Sequence, residues 1–83
     1  MGKKPDDELQ QAFHKYTLRA ATMIEQEELS ISTIARITEG TQKLTMHDMT
    51  TFYKQLLELL QTTKTEEEIL NKGLGIRDSL LNH

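Results

Sequence analysis

Residues 18–56 read LRAATMIEQEELSISTIARITEGTQKLTMHDMTTFYKQL, three apolar segments divided by an acidic run, a glycine and a threonine-led restart. Between Ser30 and Gly40, Ile31, Ile34 and Ile37 recur every third residue, the spacing that lines one face of a helix. Ser30 or Ser32 can accept the first free amides of that helix, and Gly40 is suited to a left-handed stop. The pattern predicts a short helix of about two and a half turns. Thr41-Gln42-Lys43-Leu44 then reads as a loop. Thr45 caps the next helix, with Asp48 placed to answer it from the first turn, and Met46, Met49, Phe52, Tyr53, Leu56, Leu59 and Leu60 mark its inner face.

Upstream, Leu9, Ala12, Phe13, Tyr16, Ala20, Met23 and Ile24 keep helical phase from about Asp6 to Glu28, as one unbroken helix or as two. Downstream, Gln61-Thr62-Thr63-Lys64 closes the Thr45 helix, and Thr65-Glu66-Glu67-Glu68 opens the last one. That opening is a capping box with three acids at the helix end where the macrodipole favours negative charge. Gly73-Leu74-Gly75 is expected to interrupt this last helix, because two such glycines cost about 2 kcal/mol of helix propensity. Ile76 to Leu81 then resumes as a short terminal helix. Pro5 is the only proline, and residues 1–5 read as a flexible N-terminus. The expected architecture is all-α, a four- to five-helix bundle forming one domain over residues 1–83.

Composition narrows the function. A chain of 83 residues buries only about 60% of the surface its unfolded form exposes, so a homodimer is expected from size alone. The apolar terminal set Ile69, Leu70, Leu74, Ile76, Leu80 and Leu81 either closes the core or contributes a dimer or partner surface. With no cysteine, neither a disulfide framework nor a thiolate metal site can form. His14, His47 and His83 lack the spacing of a metal cluster and read as surface side chains. Asp6-Asp7-Glu8 and Glu66-Glu67-Glu68 point in different directions around a helix, which suits first-turn dipole stabilisation rather than catalysis. Met23, Met46 and Met49 read as core filler. No nucleophile triad, phosphate loop or metalloprotease motif is present, so neither enzyme activity nor a cofactor is expected. No apolar run reaches signal-peptide or membrane-spanning length, and a cytoplasmic protein with no membrane association is the expectation.

Residues 18–40, followed by Lys43-Leu44-Thr45-Met46-His47-Asp48-Met49-Thr50-Thr51-Phe52, resemble the Cro/Xre helix-turn-helix family of phage and plasmid repressors. The resemblance covers about residues 6–60. It implies a first helix from Asp6 to Tyr16, a second beginning near Leu18, and a recognition helix at Ser30 to Gly40 that enters the DNA major groove by its N-terminal turn. On that reading Ile34 and Ile37 face the core, while Ile31, Ser32, Thr33 and Arg36 face the bases. Arg36 would contact guanine and Ile31 a thymine methyl group. Lys15, Arg19 and Lys43 would meet phosphates. The implied protein is a small transcriptional regulator that binds double-stranded DNA.

The same residues carry a second expectation. The turn of the family holds a glycine with positive φ where this chain has Glu28, and the second helix has Ala20 where the family has a DNA-contacting Gln. The net charge is −3, and Glu25, Glu27, Glu28 and Glu39 would crowd the proposed DNA face with repelling charge. These features fit an acidic helical module that binds a protein partner without DNA, of the antirepressor, immunity-protein or chaperone type.

Overall fold

A computed structural model describes residues 5–63 and 65–82, with side chains from residue 7 onward. Those residues form four α-helices and one 3₁₀ turn: α1 (Pro5–Glu25), α2 (Ile31–Thr38), the turn Thr41–Lys43, α3 (Met46–Thr62) and α4 (Glu66–Leu81). The all-α bundle is as the apolar spacing predicts. Residues 1–4, most of the stretch expected to be flexible, lie outside the described residues, and Pro5 already opens α1, a position where its fixed φ costs nothing.

The upstream stripe is a single helix. α1 runs unbroken through Tyr16-Thr17-Leu18, where the repressor resemblance implied a break. No proline or glycine interrupts it, and its face against α3 is continuous: Ala12, Tyr16, Ala20 and Met23 are all buried. It ends in paired backbone bonds, Glu27 N–H to the Ile24 carbonyl and Glu28 N–H to the Met23 carbonyl. This is the Schellman pattern, and it needs one left-handed residue. That residue is Glu27, at φ 61°, one position earlier than the family alignment suggested and at a strain cost of about 1 kcal/mol.

Each later helix begins at a side-chain cap. Ser30, Thr45 and Thr65 accept from the backbone amides of Thr33, Asp48 and Glu68 respectively. Gly40, at φ 85°, turns the chain out of α2. Thr41 Oγ1 then donates to the Thr38 carbonyl, occupying one of α2's last free acceptors.

The helices pack as an open circuit: α1 against α3, α3 against α4, and α4 against α2. Phe52, Leu56 and Leu60 of α3 sit at its centre with no solvent exposure, joined by Met23, Ile37 and Ile69. α4 is continuous across Gly73-Leu74-Gly75, against expectation. The reason lies in the α2–α4 contact. A Cβ on Gly73 would stand 2.9–3.1 Å from three side-chain atoms of the buried Ile37, so the bare backbone lets the two helices approach closely. The packing gained there outweighs the propensity lost. Met46 also departs from its expected role, being 46% exposed while Met23 is in the core. Among the described residues no helix is long and apolar enough to cross a membrane.

Candidate interaction groove

Because α1 and α2 do not pack along their lengths, an apolar groove of about 360 Å³ remains between them. Phe13, Thr17, Ala21 and Ile24 of α1 form one wall, Ile34 and Thr38 of α2 the other, and Tyr16, Ala20 and Tyr53 the floor. No lining residue is charged. Burial, with Tyr53 beside it, pushes the Tyr16 hydroxyl up to about 12, and burial raises Tyr53 as well, so the floor stays neutral. Phe13, Tyr16, Phe52 and Tyr53 stack in tilted and edge-on pairs 5.0–5.9 Å apart, which makes that floor rigid. Phe13 is nonetheless 47% exposed, and Leu18 and Ile31 project into solvent at 57% and 71%.

α2 is too short to stand alone, and α4 holds it by both ends. The Glu66 carboxylate accepts from Ser30 N–H at 2.6 Å and from Thr33 Oγ1 at 2.8 Å. At the other end Arg77 Nη1 donates to the Arg36 carbonyl at 2.6 Å, and Asp78 steadies the same guanidinium. An anion at the N-terminus and a cation at the C-terminus both match the macrodipole of α2.

The hydrogen bonds from Ser30 and then Thr33 hold the Glu66 carboxyl below the usual glutamate range. Since the folded value is depressed, the stabilisation is present above the ordinary carboxylate range and is lost as pH falls through the folded value. The wild-type chain is therefore expected to melt higher than Glu66→Gln at neutral pH and to converge with it in acid. Parallel thermal melts from about pH 7 to pH 3 measure this. A gap unchanged across that range would show that the carboxylate charge has no part in holding α2.

The residues assigned to DNA contact fall on three elements, α1, α2 and the 3₁₀ turn. Ile31, Ser32 and Arg36 are exposed on α2, but Thr33 is buried at 8% exposure and bonded to Glu66 and Ser30, which corrects its placement on an outward face. Its hydroxyl donates to Glu66 of α4. Arg19 donates to the Leu60 carbonyl across the α1–α3 seam, and Lys15 borders a recess with Glu8, Lys54 and Leu57 on that seam. Lys43 is exposed on the 3₁₀ turn. Of the terminal apolar set, Ile69 is fully buried and so cannot form a dimer surface; Leu70, Leu74, Ile76 and Leu80 are half-buried. His14 and His47 are exposed, and His83 lies outside the described residues. Among the described residues no three metal-ligating side chains come together.

The α1 wall of the groove escapes a reading of the sequence because Phe13 and Ile24 fall on the same apolar stripe as the core. The signal is the width of that stripe. Adjacent apolar pairs at Ala12-Phe13 and Met23-Ile24 span more of the helix circumference than contact with α3 alone requires. Compared with known protein families, with curated proteins and with solved structures, the chain matches none.

Proposed function

We propose that this chain is a protein-interaction module that receives an amphipathic helix of a partner protein between α1 and α2. The observation that carries the reading is the uncharged groove with its half-exposed Phe13 and rigid aromatic floor. From Phe13 to Ile24 its α1 wall runs about 16 Å, room for the repeated anchors of a helix in a groove. Two further features favour a protein partner over DNA. α1 is continuous and packs on α3 while α2 rests on α4, so the two helices flanking the Glu27 turn do not form the packed pair that sets a recognition helix against DNA. Glu66 also sets a carboxylate at the N-terminus of α2, the end that would have to approach phosphates.

Amide chemical-shift mapping of the whole chain tests this reading. Amphipathic helical peptides are expected to move Phe13, Thr17, Ala21, Ile24 and Ile34, while duplex DNA of random sequence at low salt moves nothing. Shifts at Ile31, Ser32, Arg36 and Lys43 on adding duplex, with peptides inert, would replace it by the DNA-binding reading.

A further inference from the structure

Resting on the reading above, we infer that the groove selects a basic amphipathic helix, with an apolar stripe for the trough and lysines or arginines for the carboxylates at its ends. The placement of charge along the two walls carries this. On α1, Arg19 reaches across to the Leu60 carbonyl and Lys15 borders the recess beside Glu8, Lys54 and Leu57, both on the α1–α3 seam. On α2, Arg36 lies two residues from the groove-lining Ile34 and Thr38, an offset that at 3.6 residues per turn carries it to the far side. All three cations of the walls therefore face away from the trough.

The carboxylates are placed differently. Glu25 follows Ile24 directly and stands four residues after Ala21, at the exposed rim where α1 ends. Glu27 and Glu28 occupy the turn where the two walls meet, and Glu39 follows Thr38 at the far end of α2. All four are exposed, and none of them is a partner in the ion pairs Lys54–Glu8, Lys72–Glu68 and Arg77–Asp78. The last turn of α1 carries no basic residue, so the negative end of its dipole adds to the same field. A neutral trough with negative ends and no cation in its lining is complementary to a helix whose apolar stripe is flanked by positive charge. A second copy of this chain is a poor fit, since it would bring the same four carboxylates against these ends.

Two synthetic peptides of about 15 residues, sharing one apolar stripe and carrying either lysines or glutamates at the polar positions, decide the matter by fluorescence anisotropy with the whole chain. The lysine peptide is expected to bind about tenfold tighter, with the difference shrinking at about 1 M salt. Its amide shifts are expected at Phe13, Ala21, Ile24 and Ile34. Glu25→Lys combined with Glu28→Lys changes only exposed side chains, leaves the melting temperature near wild type and, by balancing the remaining Glu27 and Glu39, is expected to abolish the preference. Equal binding, or a preference for the glutamate peptide, overturns the charge inference while leaving the helix-in-groove reading standing. Shifts confined to the glutamates overturn it as well. Binding of neither peptide removes both readings. A doubling of mass in sedimentation with the same groove shifts would overturn the inference in favour of a second copy.

Discussion

Replacing Phe52 by alanine is expected to destabilise the fold by about 3–5 kcal/mol, as truncation of a large buried aromatic does. Phe52 lies fully buried on α3, the helix that packs against both α1 and α4, and its ring meets Tyr53 edge-on at 5.0 Å. A domain of this length has a total stability of about 4–12 kcal/mol, so the variant would lose a quarter of it or more. Urea denaturation followed by circular dichroism measures the loss. A cost below about 1 kcal/mol would mean that α3 is not the centre of the bundle. The groove floor would suffer too, because Tyr53 keeps its position by packing on Phe52.

Gly73→Val is expected to cost about 3 kcal/mol, although replacing glycine by a larger residue other than proline normally helps a helix interior. The added side chain would begin 2.9 Å from Ile37 Cδ1 and 3.0 Å from Ile37 Cγ2. Ile37 has no exposed surface into which it can move, and its branched Cβ restricts rotation. α4 must therefore shift from α2, stretching the Glu66 and Arg77 contacts at either end. Gly75 provides the control. Nothing lies within 4 Å of its notional Cβ, and Gly75→Ala is expected to stabilise by about 1 kcal/mol. Chemical denaturation of both variants gives the two signs, and a stabilised Gly73→Val would refute the close α2–α4 approach. Pairing Gly73→Val with Ile37→Ala is expected to cost less than the sum of the two single changes, since the second vacates the space the first invades.

That pair of glycines also shows how far local sequence reaches. Gly73 and Gly75 have the same local meaning, a weak point in a helix, and on propensity alone α4 should break between them. It does not, because one of them touches Ile37, thirty-six residues away, and the other touches nothing. Thr33 and Glu66 teach the same lesson. Ser30, Ser32 and Thr33 all read as polar residues at a helix start, and Glu66 as the first acid of its own helix. That Thr33 is buried and Glu66 serves α2 rather than α4 follows from a contact spanning 33 residues.

What the sequence determined by itself is local. The 3.6-residue spacing of apolar side chains marks the helices, and the Ser30, Thr45 and Thr65 caps and the Gly40 stop set their ends, because these depend on residues no more than four apart. The candidate dimer stripe rests on the same local rules, whereas the candidate DNA residues rest on the repressor resemblance. Which apolar residues stay uncovered was decided by the tertiary structure alone. Ile24 and Ile34 have the same local pattern as the core residues Met23 and Ile37, yet the first pair walls a groove and the second is sealed. The difference arises because α4, anchored to α2 by Glu66, Gly73 and Arg77, holds that helix against itself and away from α1. Periodicity states how wide a helix's apolar face is, whereas only the packing of distant helices states how much of it is left to bind something else.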